Sequence, residues 1–169
     1  MSIVAANVLT AKFSPFVLFD GRIIIPVGSV LIGATFLLRD VVQIRHGKRE
    51  AYTMIFVALV LSAVISAMMG DTASVAIASA LSFLLSESID TEIFSRMRRS
   101  VRLRMLASGV IGGGVDSAVF VTIGLGPIGT GALTWEQVPF AIIGQAAIKA
   151  VVQVAAIGVS SRMGVYGDG

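Results

Sequence analysis

The 169-residue chain has no cysteine and a single histidine, His46. The first absence excludes a disulfide framework and thiolate metal sites, and leaves the redox compartment open. The second rules out a multi-histidine metal centre. Charge is also scarce: 14% of residues are Asp, Glu, Lys or Arg, against roughly 25% in a soluble domain. The length would suit one soluble domain, but this deficit argues against one. No G-x-x-x-x-G-K-[ST] pattern occurs, so this type of phosphate-binding loop is excluded. No nucleophile–histidine pair, H-E-x-x-H or metal cluster appears, so neither an enzyme nor a cofactor is expected. The N-terminus lacks a basic n-region and a small-residue cleavage site, and is not read as a secretory signal. No linker, second domain, low-complexity tract or internal repeat interrupts residues 1–169.

What the chain does have is apolar residues in long runs, 56% of the total. Six segments can be drawn: Ser2 to Phe19, Ile23 to Leu38, Ala51 to Met69, Thr72 to about Phe94, Val101 to Leu125, and Val138 to Val159. The first is broken by Lys12 and Ser14-Pro15. The second is marginal for a span, though tilt or bilayer thinning could accommodate it. The last four approach or exceed the roughly 20 residues that a bilayer-spanning helix needs. Gly70-Asp71 reads as a tight turn, and Gly124 to Gly131, with Pro127 among the glycines, as a breaker-rich loop. The expected fold is an all-α membrane protein, one polytopic domain of six transmembrane helices.

The net charge of +3 could suggest a nucleic-acid partner, but its placement argues otherwise. Arg39, Arg45, Lys48 and Arg49 follow the second segment; Arg96, Arg98, Arg99, Arg102 and Arg104 follow the fourth; Arg162 follows the sixth. Only Lys12 and Arg22 fall on the other side. Ten against two is a positive-inside pattern. It predicts cytoplasmic connections after the second, fourth and sixth segments, with both termini cytoplasmic in the cell (inner) membrane. The partners expected are the lipid bilayer and a small molecule, with a homo-oligomer or an energising module as further candidates.

The charges inside the runs point to function. An ionised side chain at a span's centre costs on the order of 3 kcal/mol on insertion scales, whereas each Leu, Ile, Val or Phe returns about 0.3–0.6 kcal/mol. Lys149 and Asp116 both sit mid-segment, so a pair or a polar cavity is expected. In the fourth segment Ser79, Ser82, Ser86 and Asp90 share one helix face, and Glu87 borders it. A bland alternative pairs these acids with Arg96 or Arg98 at the helix end. The fifth segment carries Ser108, Gly112 and Asp116 on one face and Gly109, Gly113 and Ser117 on the next. The glycines suit close helix packing, which does not require Asp116. The sixth carries Gln145, Lys149 and Gln153 at intervals of four, a stripe that must face protein or water. For Lys149 and Asp116 the bland alternative is a purely structural ion pair. Arg45, Lys48 and Arg49 read as a solvated basic loop, and Asp40 beside Arg39 as a boundary salt bridge or a gate. His46 is assigned no role.

Several blocks resemble the vitamin-uptake-transporter-like (VUT) family of queuosine precursor transporters. They are Ala6-Asn7-Val8-Leu9 with Lys12, Phe36-Leu37-Leu38-Arg39-Asp40-Val41-Val42, and His46-Gly47-Lys48-Arg49-Glu50-Ala51. The more specific ones are the run from Ala80 to Thr91 with Ile93-Phe94-Ser95, and Asp116-Ser117-Ala118-Val119-Phe120. Arg104, Ser108 and Lys149 complete the match, which covers most of the chain in order. The resemblance implies six transmembrane helices in a fold similar to substrate-binding components of energy-coupling vitamin transporters. It also implies import of 7-cyano-7-deazaguanine or related 7-deazaguanine bases for tRNA queuosine synthesis. By position it implies binding roles for Asn7, Glu87, Asp90, Asp116, Ser117 and Lys149. The chain departs from the family in the few residues before Asn7 and in His46, where the family usually has Tyr.

The chemistry suits such a base. Its ring N–H and exocyclic amine are adjacent donors that one carboxylate can accept side by side. Its carbonyl and nitrile are acceptors for Lys149 or Gln145. Phe83 and Phe120 are candidate walls of an apolar slot. Two other functions are carried alongside: a vitamin-binding membrane subunit that requires an external ATPase module, and a non-transporting membrane scaffold.

Overall fold

The computed structural model describes residues 16–18, 23–25, 39–69 and 72–162. Residues 39–46 are helical and lead through Gly47 into α1, Lys48–Met69. Then come α2, Ala73–Arg96, and α3, Val101–Val119, which continues as a π-helical turn over Phe120–Leu125. The last helix is α4, Val138–Arg162. Four helices are long and apolar enough to cross a membrane, over Lys48–Met68, Ala73–Arg96, Val101–Leu125 and Val138–Gly158. They match the last four of the six sequence segments.

The first two segments differ from expectation where they are described. Phe16–Leu18 and Ile23–Ile25 are strands, β1 and β2, paired antiparallel with Phe16 opposite Ile25 and Leu18 opposite Ile23. The residues are aromatic or branched and favour extended backbone, and Asp20-Gly21 between them is a hairpin dipeptide. A helix over all of Ser2 to Phe19, or one starting at Ile23, is therefore corrected. The remainder of both segments, with Asn7, lies outside the described residues.

The packing is inside-out relative to a soluble domain. Among the described residues, eight hydrophobic side chains are buried against fifteen polar or charged ones. Phe56, Met68, Phe140, Ile143 and Val151 are exposed instead. An apolar exterior is what a lipid solvent selects, while polar groups turn inward to find partners. A small apolar core of Phe94, Met105 and Ile157, with Val101 and Leu106 against it, closes the end of the bundle near the α2–α3 connection. There the Arg104 guanidinium lies over the Phe94 ring at 4.1 Å and donates to the Phe94 carbonyl at 2.8 Å.

α3 is the central helix, packed against α2 on one side and α4 on the other. Its glycines make this possible. A Cβ on Gly112 would lie 3.0 Å from the Asp90 Cβ and 3.2 Å from the Ser86 carbonyl oxygen. One on Gly109 would collide with the Gln153 side chain at 2.6 Å, and one on Gly113 would touch Lys149 at 3.4 Å. The glycine series thus works as a packing seam and also gives room to three polar side chains. At Gly47, with φ of 91°, the backbone is left-handed, and its N–H donates to the Gln43 carbonyl at 3.0 Å. This ends the 39–46 helix and turns the chain into α1.

The loop after the π-helical turn folds back onto it. Thr130 donates to the Gly124 carbonyl from both its N–H and its hydroxyl, each at 3.0 Å. A Cβ on Gly129 would lie 2.1 Å from the Ile123 carbonyl oxygen and 2.5 Å from that of Gly124. Gly129→Ala should therefore lower the thermal midpoint of the purified protein, by the equivalent of about 1–3 kcal/mol for overpacking against backbone. Gly114→Ala, whose Cβ meets nothing within 4 Å, should be near neutral. Equal midpoints for the two variants would mean that the loop is not packed this way.

Candidate functional site

Two ionic assemblies occupy the interior. In the first, Lys149 of α4 reaches α3, where its ammonium donates to Asp116 Oδ2 in a short contact and to Ser117 Oγ at 2.9 Å. All three side chains are buried. The Ser117 hydroxyl in turn donates to the Gly113 carbonyl at 2.8 Å, which fixes its lone pairs toward Lys149. The pair expected from sequence is present. Both residues lie mid-helix, where neither charge can reach water by bending outward.

The second assembly centres on Arg39. Its Nη1 donates to Glu87 Oε2 at 2.9 Å, to the Glu87 carbonyl at 3.2 Å and to Thr91 Oγ1 at 3.3 Å. Its Nη2 donates to Asp40 Oδ1 at 2.6 Å and, in a short contact, to Asp90 Oδ2. Gln43, one turn on, donates to the Thr91 carbonyl at 3.2 Å and to Ser95 Oγ at 2.9 Å. A planar guanidinium has the geometry for several carboxylates at once, which a lysine lacks. Arg39 is 3% exposed and Asp40 0%. Burial pushes the Asp40 carboxyl up to about 7, against the opposing pull of Arg39.

The boundary salt bridge expected between Asp40 and Arg39 is present, and Arg39 is also the centre of a buried cluster. The bland alternative for the acids of the fourth segment is not what forms. Asp90 pairs with Arg39 rather than with Arg96 or Arg98; Arg96 donates instead to Glu92, which also meets Lys48 at 2.5 Å. Gln43 and Thr91 carry no expectation from sequence, and Arg39 with Asp40 only that of a boundary salt bridge or a gate. One signal was available: Arg39 and Gln43 are four apart, and two acids deep in a span require a cation that the helix-end arginines are too far along to supply.

The two assemblies adjoin. Gly112 faces Asp90 and Gly113 faces Lys149, so successive α3 residues border one assembly and then the other. The Glu87 and Asp116 carboxylates lie within electrostatic range of each other, and the Ser108 hydroxyl faces Asp90. Gln145 is buried one turn before Lys149. Gln153, one turn after, donates to the Met105 carbonyl at 3.1 Å. Phe83 is half-buried one turn before Glu87, and Phe120 opens the π-helical turn with its ring beside Gly124. The Ser82 and Ser86 hydroxyls donate to carbonyls of their own helix, at 3.1 Å each. They line α2 with small polar groups and leave the ion pairs to Glu87 and Asp90.

The unmet hydrogen-bonding capacity is one-sided. Asp40 Oδ2, Asp90 Oδ1, Gln43 Oε1 and Gln153 Oε1 are buried acceptors that no described residue satisfies; the one donor of this kind is Arg39 Nε. Buried polar atoms are normally paired, and each that is not calls for an explanation. An interior with four free acceptors suits a ligand rich in N–H groups. Among the described residues there is no group of three or more His, Cys, Asp or Glu side chains arranged to hold a metal ion.

No curated protein and no solved structure matches the chain significantly. A family model matches residues 26–162, a stretch that includes all four candidate spans and every residue of both ionic assemblies. By that match the chain belongs to the family described as "Putative vitamin uptake transporter".

Proposed function

We propose that the chain imports queuosine precursors, 7-cyano-7-deazaguanine or related 7-deazaguanine bases, for tRNA modification. The binding residues in this reading are Asn7, Phe83, Glu87, Asp90, Asp116, Ser117, Gln145 and Lys149. The observation that carries it is the surplus of buried acceptors over donors in a membrane-embedded polar interior. A guanine-like edge offers adjacent N–H donors that one carboxylate accepts in parallel. Lys149 and Gln145 supply donors for the base's carbonyl and nitrile. The family description places the chain among uptake proteins; the polar interior and the resemblance noted from sequence support this base.

The direct test is uptake by a precursor-auxotrophic cell expressing the chain, read as queuosine in its tRNA. Modification should depend on both the supplied base and the chain. No queuosine above the empty-vector level would rule out this substrate. Copurification of an ATPase would instead support a binding subunit that is energised from outside.

Specificity gives a sharper measurement. Glu87→Gln or Asp116→Asn removes a charge and half the acceptor capacity. Losing a charge-assisted hydrogen bond at a buried site costs roughly 1.5–3 kcal/mol, or about 10- to 150-fold in affinity. An analogue without the exocyclic amine should separate wild type from variant much less. If both variants bind the full base as tightly as wild type does, these carboxylates do not read its donor edge.

In this reading the protein lies in the cell (inner) membrane with both termini cytoplasmic. Because the chain lacks cysteine, Lys48→Cys and Arg99→Cys each introduce a unique thiol. Both should resist an impermeant thiol reagent in intact cells and react after lysis. Labelling of either from outside would reverse the orientation.

A further inference from the structure

The buried charges do not balance. Arg39 and Lys149 face four buried acids: Asp40, Glu87, Asp90 and Asp116. Lys149 is committed to Asp116, which leaves one guanidinium for three carboxylates. Asp40 and Asp90 both sit on the same nitrogen, Arg39 Nη2, and each keeps a second oxygen without a donor among the described residues. Both side chains are fully buried. The other groups facing the cluster do not restore neutrality. On α1, Tyr52 is engaged with Glu92. On α3, the Ser108 hydroxyl is neutral, and Arg104 acts on Asp40 while donating to the Phe94 carbonyl. Even with Arg104 counted, four acids face three bases.

A surplus of negative charge, one with Arg104 counted and two without it, is costly to keep ionised in a low-dielectric interior. Carboxyls in that position take up protons instead, because like charges sharing one partner cannot all stay ionised. We propose that the Arg39 cluster is a proton-binding site, that Asp40 and Asp90 share at least one proton in the empty site, and that import of the base is coupled to this proton. The coupling rests on the transport reading above; the proton site itself does not. In the coupled step an O–H bond forms at Asp40 Oδ2 or Asp90 Oδ1 with a proton from the outer solution. The bond breaks when that proton passes to water on the cytoplasmic side. Nothing is oxidised or reduced. With the proton on one of these two oxygens, the other still accepts an N–H of the base, so proton and base are bound together in the state that crosses the membrane.

Two measurements on the full chain separate the parts. Infrared spectra of the protein in nanodiscs at neutral pH should show the C=O stretch of a protonated buried carboxyl. That band should vanish as pH rises, and should weaken in Asp40→Asn and in Asp90→Asn. If the wild type lacks the band, or if it is indifferent to both substitutions, the proton site is overturned, whatever the base does. The wild-type spectrum decides even if a variant does not fold. In proteoliposomes loaded with a pH-reporting dye, 7-cyano-7-deazaguanine added outside should acidify the lumen. With one proton per base, an inward gradient of one pH unit should support about tenfold accumulation. Entry of the base with no dye response, or accumulation driven by a sodium gradient instead, would overturn the coupling. No entry or counterflow of the base under any gradient would refute the substrate reading and with it the coupling, leaving the proton site to the infrared result.

Discussion

Lys149→Met alone and Asp116→Leu alone should each cost roughly 3–5 kcal/mol of stability, because either change strands the partner as an unpaired buried charge. The yield of folded protein, followed by size exclusion and by thermal midpoint in detergent, should fall in both. The double substitution removes both charges and should restore much of that yield, since an apolar pair of similar volume is often neutral in place of a buried ion pair. Uptake should not return, because the proposed contacts to the base are gone. Additive losses in the double variant would show that the two side chains are not coupled. Restored uptake would show that neither is needed for substrate, and would leave the pair a staple between α3 and α4.

Arg39→Met should be at least as damaging, again about 3–5 kcal/mol or more. It leaves Asp40, Glu87 and Asp90 together without this guanidinium and removes the ionic tie between residues 39–46 and α2, leaving the Gln43 hydrogen bonds to Thr91 and Ser95. Arg39→Lys should fall between the variant and wild type. An ammonium restores the charge but not the fork that reaches Glu87 and Thr91 through one nitrogen and Asp40 and Asp90 through the other. Combining Arg39→Met with Asp40→Asn and Asp90→Asn should recover part of the loss, because fewer charges remain to be desolvated. A folded yield for Arg39→Met equal to wild type would mean that the cluster does not hold this part of the bundle. The same yields test the proton reading indirectly, since protonated carboxyls soften the loss of their guanidinium.

Much of the fold was legible in the sequence because the bilayer imposes a length and a polarity that can be read residue by residue. The four later segments became four helices at nearly the expected boundaries. Lys149 and Asp116 were paired from the cost of leaving either alone in lipid. Gly109, Gly112 and Gly113 were read as a packing seam, and they lie where α3 approaches its neighbours most closely. The first two segments were read from hydropathy alone. That measure cannot distinguish a helix from the short strands at Phe16–Leu18 and Ile23–Ile25, although Asp20-Gly21 and the run of isoleucines carried the information.

What this chain determined by itself is that it belongs in a membrane and must bury charge there; composition, run length and the positions of Asp90, Asp116 and Lys149 suffice for that. Which cation meets which acid was decided only by tertiary structure. Arg39 lies just past an apolar segment, among residues that look like a basic loop, and its sequence neighbours say nothing of Glu87 and Asp90, 48 and 51 positions away. Helix periodicity specifies a face but not the partner that will cover it. The pairing emerges when residues 39–46 pack against α2, and with it come the excess of carboxylates over guanidinium and the acceptors left free.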